Sequence, residues 1–213
     1  MTEALKSVDR EKARIMLGLL ESVERGGEQS QRRIASELGV ALGLVNAYLK
    51  RCIKKGLVKV RQAPARRYAY YLTPNGFTEK SRLTIEYMSY SFMWFRRAKT
   101  DCVAALAVAR ERSFERIALL GASDLAEIAA ICALDSGLAI VAVVDATCDA
   151  ARFAGAPVVG DLDAVAGAID AVLVTDMRGA DAMRRLAADR LGAERVLMPA
   201  LLTVRPEKRR GAA

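Results

Sequence analysis

Apolar residues recur every three or four positions through the first third of the chain and gather into short continuous runs in its last half, a change from helical to strand-and-helix periodicity. In DREKARIMLGLLESVER, residues 9–25, Ile15, Leu19, Leu20 and Val23 fall on one helical stripe, and Gly26 with Gly27 supplies the stop. Ser30 can cap a short helix, QRRIASEL, whose Ile34, Ala35 and Leu38 share a face, and Gly39 ends it. A third helix is expected over residues 41–55, ALGLVNAYLKRCIKK, with Leu42, Val45, Leu49 and Ile53 facing inward. Two short helices joined through a glycine-containing turn form a helix-turn-helix unit. Residues 57–61 and 67–72 then read as strands around the loop QAPAR, a hairpin in the position of a wing.

Residues 78–112 contain no Gly or Pro, so they form one long helix or two in line. Steps of four and three from Thr84 reach Met88, Ser91, Phe95, Ala98, Cys102, Ala105 and Ala109. This is a 3.5-residue repeat whose small members permit close helix approach, and Tyr87, Phe92 and Trp94 widen its apolar face. Such a surface predicts either a homodimer seam or packing against the C-terminal half of the same chain.

From residue 113 the pattern alternates. RIALL (116–120), AIVAVV (139–144), residues 157–159, AVLVT (171–175) and residues 195–198 read as strands, with helices at 123–135 and 179–191. Strands alternating with helices predict a parallel, Rossmann-like sheet. The first strand-to-helix turn reads Gly121-Ala122-Ser123-Asp124-Leu125-Ala126, and Asp145 closes the second strand 24 residues after Gly121. In a dinucleotide fold, amides at such a turn hold phosphate and the acid after strand two accepts from a ribose hydroxyl. The candidate ligand set is therefore Gly121, Ala122, Ser123, Asp124, Leu125 and Asp145, with Thr175 at the end of a neighbouring strand. Ser123 stands where a glycine would give closest pyrophosphate approach, Asp124 adds a negative charge, and Asp124 with Glu127 also makes a plain capping pair. The expected organisation is an α/β two-domain chain: a winged helix-turn-helix over 1–77, a connecting and dimerising helix over 78–112, a Rossmann-like domain over 113–204 and a basic tail over 205–213.

Composition narrows the function. A hydrophobic fraction of 53% excludes disorder. No apolar run nears the roughly 18 residues that span a bilayer. MTEALKSVDREK is no secretory signal, so a cytoplasmic protein without a membrane partner is expected. The chain has no histidine, which removes the commonest general base and the commonest zinc ligand, so neither catalysis nor a metal site is expected. Cys52, Cys102, Cys132 and Cys148 are too widely spaced for a zinc knuckle and read as packing residues. Residues 1–112 hold 22 Lys and Arg against 11 Asp and Glu, a net of +11, whereas residues 113–213 hold 11 against 14, a net of −3.

The basic half is thus the candidate for double-stranded DNA. By helical geometry the outward face of the third helix carries Gly43, Asn46, Ala47, Lys50, Arg51 and Lys54. Asn46 suits a bidentate adenine contact, or is a solvated polar group, while Lys50, Arg51 and Lys54 suit phosphates. Arg32 and Arg33 meet the DNA backbone if the second helix crosses the groove, and are otherwise ordinary surface charge. Arg61, Arg66 and Arg67 crowd the wing, where cations lie against phosphate or enter the minor groove.

The stretch SQRRIASELGVALGLVNAYLKRCIKKGLVKV, followed by YAYYLTPNGFTEKSRLT, resembles the winged-helix MarR-type regulators associated with exopolysaccharide gene clusters, over roughly residues 14–97. In that family the recognition helix usually opens with Ser and carries Lys beside a Val-Asn pair; Ala41 and Leu44 stand there instead. Residues 116–202, with Val144-Asp145 and AGAPVVGDLDAV, resemble the small Rossmann-like domains of redox-sensing repressors and of bacterial sugar acyltransferases, in which a nucleotide or nucleotide-sugar occupies the turn. The two resemblances together imply a dimeric DNA-binding regulator that responds to a nucleotide-type effector, a nucleotide-sugar or NAD(H). Two alternatives stand beside it: a second domain serving only oligomerisation or protein interaction, and a nucleotide-dependent enzyme with a DNA-binding appendage.

Overall fold

The computed structural model describes residues 3–26, 30–63 and 67–203, with the backbone alone for 3–9, 62, 63 and 67, and divides into two units, Met1–Ser91 and Phe92–Ala213. No helix among the described residues is long and apolar enough to cross a membrane.

The first unit opens with α1 (Glu3–Arg25), longer at its start than the apolar stripe predicts because Ala4, Leu5 and Lys6 are good helix formers. Ile15, Leu19, Leu20 and Val23 are buried. They meet Ile34 and Ala35 of α2 (Gln31–Leu38) and Val45 and Leu49 of α3 (Leu42–Lys54) in one core. Ser30 caps α2 by accepting from the Arg33 amide, and Gly39 ends it at φ +62°, as the sequence indicates. On α3 the buried face is rotated from the expected one. Leu42 and Ile53 are exposed at 39% and 37%, whereas Tyr48 and Cys52 join Val45 and Leu49 inside at spacings of three, one and three.

The hairpin follows as β1 (Val58–Ala63) and β2 (Arg67–Leu72), antiparallel from Val58 opposite Leu72 to Ala63 opposite Arg67. Thr73 then starts α4 (Pro74–Glu111). Its hydroxyl accepts from the Gly76 amide at 3.0 Å and donates to the Gly56 carbonyl at 2.6 Å, and Pro74 fills the first helical position, where a missing N–H costs nothing. A Cβ at position 76 would stand 2.1 Å from the Leu57 carbonyl oxygen, so only glycine lets this first turn sit against the start of β1. The stretch expected as one helix or two is a single helix of 38 residues.

The second unit holds the remainder of α4 and a six-stranded sheet in the order β5-β6-β4-β3-β7-β8. Its strands are β3 (Arg116–Leu120), β4 (Ala139–Val144), β5 (Arg152–Phe153), β6 (Ala156–Val159), β7 (Ala171–Val174) and β8 (Val196–Leu197). Pairings are parallel except β5 with β6, a short hairpin that the sequence did not indicate. From β6 to β8 the strands run third, second, first, fourth, fifth in chain order, the doubly wound Rossmann arrangement.

Because side chains alternate along a strand, Ile117 and Leu119 enter one core with α4 and α5 (Asp124–Ser136), while Ala118 and Leu120 enter another with Ala187 of α6 (Ala180–Leu191). A short α7 (Ala200–Thr203) closes the described chain. Ala98, Cys102, Ala105 and Ala109, expected either in a dimer seam or in packing against the C-terminal half of the chain, are buried inside this unit's own core. Their small side chains let α4 approach its own sheet and α5. Burial raises the Cys52 thiol to about 11 and the Cys102 thiol to about 12, in keeping with packing roles.

Candidate functional site

In the first unit the outward face of α3 is polar and open. Gly43, Ala47, Lys50, Arg51 and Lys54 are exposed and Asn46 is half-buried between them and the core, the positions that the helical geometry assigns. Ala41 precedes the helix without a side-chain cap, so the departure from Ser leaves the first-turn amides without that bond. Lys54 and Arg51 lie in the last turn, where the helix dipole favours cations, and Arg51 also stands 5.4 Å above the Tyr48 ring.

Arg32 is exposed on α2. Arg33 is held in an ion pair with Glu37 at 3.1 Å, and Glu37 also accepts the buried Ser22 hydroxyl of α1 at 2.9 Å. Those two contacts, the Ser22 hydrogen bond foremost, hold the Glu37 carboxyl below the usual carboxylate range. At the other side, Gln31 donates to the Tyr70 hydroxyl at 2.6 Å, tying the start of α2 to the wing strand. Arg61 is exposed on β1; Arg66 and the side chain of Arg67 lie outside the described residues.

In the second unit a cavity of about 310 Å³ opens where β3, β4, β6 and β7 end. Leu120, Val144, Leu162, Met183 and Leu186 give it apolar walls, and Asp145, Thr147, Asp161, Asp176 and Arg190 give it polar ones. Of the seven residues singled out in the sequence, Gly121 and Asp145 line it. The others serve the turn. Ser123 caps α5 by accepting from the Ala126 amide and donates to the Thr175 carbonyl at 2.7 Å. Thr175 is fully buried and shares its hydroxyl between the Gly121 and Leu120 carbonyls, at 2.7 and 3.0 Å. Leu125 is buried in the core, Asp124 is exposed and Ala122 is half-buried.

Asp145 is already engaged. Its Oδ2 accepts from the Ala122 amide at 2.9 Å, and its Oδ1 accepts from the Thr147 amide and hydroxyl at 2.8 and 2.7 Å. The Thr147 hydroxyl first, and the Ala122 amide after it, keep this carboxyl below its usual range and ionised. Gly121 adopts φ +104°, and a Cβ there would come within 2.8 Å of the Asp176 backbone, so the glycine permits β3 and β7 to close at their ends. Asp176 itself accepts from the Arg178 and Gly179 amides through Oδ1. Arg190 pairs with Asp163 and lies 4.0 Å from Asp161.

Asp161, Asp176 and Arg190 were not picked out from the sequence. A signal was present: the runs ending at Val144, Val159 and Val174 are each followed within two residues by an aspartate.

Residues 13–59 match the family model described as winged helix-turn-helix DNA-binding. No curated protein matches the chain. Solved structures similar to it include the PcaV transcriptional regulator of Streptomyces coelicolor in complex with its natural ligand, at 18% identity over 38% of this chain and 59% of that one, with a TM-score of 0.36. A MarR family transcription regulator matches at 18% identity over 43% and 68%, also at 0.36. Human N-acetylserotonin methyltransferase in complex with SAM matches at 14% identity over 100% and 83%, at 0.39. The chain thus spans 59% of the length of the first of these.

Proposed function

We propose that the chain is a MarR-type transcriptional regulator that binds double-stranded DNA as a homodimer through its first unit and senses a small nucleotide-type ligand in its second. One observation carries the reading: α3 presents Lys50, Arg51 and Lys54 to solvent beside Asn46, within the segment that matches a DNA-binding helix-turn-helix. In this reading α3 lies in the major groove, its cations take phosphates, and Asn46 reads an adenine edge. Arg32 and Arg61 extend the cationic surface on either side.

Homodimerisation is supported by α4. Ile85, Met88, Phe92 and Phe95 follow one another at three, four and three residues and are all exposed, Ile85 at 65% and Phe92 at 57%. An exposed stripe of this kind is normally covered by a partner, and a second copy of the same helix matches its spacing. Ligand sensing is supported by the cavity at the strand ends, where doubly wound sheets bind small molecules. The sequence resemblances bring a nucleotide-sugar or NAD(H) forward as the effector, and tie the regulated genes to exopolysaccharide synthesis. No catalysis is assigned, since the chain has no histidine for acid-base work.

The test is DNA affinity against salt concentration for the full chain and for Lys50→Ala/Arg51→Ala/Lys54→Ala. Each lost phosphate contact removes about 0.9 from the slope of log K against log salt, so the variant should lose about 2.7. An unchanged slope would show that α3 does not face the DNA backbone.

A further inference from the structure

The cavity of the second unit is poorly arranged for phosphate. An anion in the cavity would need free amides facing it, yet the Gly121 amide donates to the Val144 carbonyl at 2.9 Å, the Ala122 amide donates to Asp145 Oδ2 at 2.9 Å, and Ser123, Asp124 and Leu125 at the start of α5 do not line it. The Asp145 carboxylate thus takes up an amide of the turn that would otherwise be open to an anion. Cations are no better placed. Arg190 is the one cation among the lining residues, and it is paired with Asp163 and close to Asp161. Three carboxylates, those of Asp145, Asp161 and Asp176, line the same space, and a phosphate entering it would meet like charge in a partly enclosed site.

What these groups do offer is acceptors. Asp161 and Asp176 each accept through Oδ1, and their Oδ2 atoms have no hydrogen-bond partner among the described residues. The walls behind them, Leu120, Val144, Leu162, Met183 and Leu186, are apolar and suit a flat ring. We infer that the ligand is a nucleoside or nucleoside derivative without phosphate, its base against the apolar wall and its ribose hydroxyls donating to the aspartates. This rests on the reading of the second unit as a ligand sensor, and it replaces a phosphate-held nucleotide with a nucleoside held by its hydroxyls. Asp145 then does two things at once: it closes the phosphate turn from within and presents its remaining acceptor capacity to the cavity.

Calorimetry on the full chain tests this with adenosine, guanosine, cytidine and uridine, each against its own 5′-diphosphate, together with UDP-glucose and NAD(H). At least one nucleoside should bind, and its diphosphate should bind at least tenfold more weakly. In Asp161→Asn and Asp176→Asn, which keep Oδ1 for the amides, the nucleoside should weaken and the gap to its diphosphate should narrow, because the repelling charge is gone. Unaltered thermal melting in either variant establishes that the fold has survived, so one folded variant suffices. A diphosphate, UDP-glucose or NAD(H) that binds more tightly than the nucleosides overturns the inference and leaves the sensor reading standing. If none of the probes binds at millimolar concentration, the inference and the sensor reading are both overturned.

Discussion

The two units use their charges in opposite ways. On the first, Lys50, Arg51 and Lys54 project from α3 into solvent, and Arg51 meets the core only over the Tyr48 ring. On the second, the conspicuous charges are bound into the fold: Asp145 holds the β3–α5 turn, and Asp170 accepts from the Glu115 and Arg116 amides at 2.9 and 2.8 Å, fixing the start of β3. Charges that support no local structure are free to meet a partner. Those that cap turns serve stability first, and a ligand reaches only what is left over. Removing one of the α3 cations should therefore weaken DNA binding without unfolding the first unit, whereas removing Asp145 or Asp170 should cost the second unit stability.

The largest expected effect lies where exposed apolar surface, not charge, distinguishes one stretch of α4 from the next. Phe92→Asp/Phe95→Asp places two carboxylates on the exposed stripe, away from the buried Ala98, Cys102 and Ala105. Self-association should weaken at least a hundredfold, about 3 kcal/mol, in sedimentation equilibrium. A folded dimer of unchanged affinity would move the interface off α4.

Next in size is a direct contrast of the units by chemical denaturation. Asp145→Ala leaves the Ala122 and Thr147 amides without their acceptor and should cost about 1.5 kcal/mol, the low end for charged hydrogen bonds because the carboxylate is half open to solvent. Lys50→Ala should stay within about 0.5 kcal/mol of the parent. Equal losses in the two variants would erase the distinction.

The smallest effect is in acid. Asp145 and Asp170 are both held below the usual carboxylate range, by the Thr147 hydroxyl and by the Glu115 amide foremost. A lowered folded-state pKa gives stability that is complete above the ordinary value, about 3.9, and is lost as pH falls through it towards the folded value. Melting between pH 5 and pH 3 should therefore bring the second unit down, and Asp170→Asn should flatten that dependence. A parent melting temperature that does not move over this interval would show that these hydrogen bonds contribute nothing to stability.

Much of this contrast was legible in the sequence, and the remainder for physical reasons was not. Ser30 and Gly39 bound α2 because caps act over three or four residues, and the strand runs gave the sheet because burial on both faces writes continuous apolar stretches. The rotation of α3 was hidden because Leu42-Val45-Leu49-Ile53 and Val45-Tyr48-Leu49-Cys52 are both valid helical stripes, and the choice belongs to α1 and the hairpin. Ala98, Cys102, Ala105 and Ala109 announced close approach without saying to what. The cavity is least legible. Asp145, Asp161 and Asp176 are separated by 16 and 15 residues and come together only because the sheet sets β4 between β6 and β3, and β7 beyond β3.

That α4 runs unbroken from Pro74 to Glu111 governs how the protein can be dissected. At about 1.5 Å per residue it is some 57 Å long, and the border between the units, after Ser91, falls near its middle. A protease cut or an expression boundary placed there would leave four carbonyls on one fragment and four amides on the other without helical partners. It would also fray the turns that carry Met88 and Phe95. Fragments meant to retain native helix ends should therefore overlap, each keeping the whole of residues 74–111, and amide exchange along α4 would report how far the opening of one unit spreads into the other.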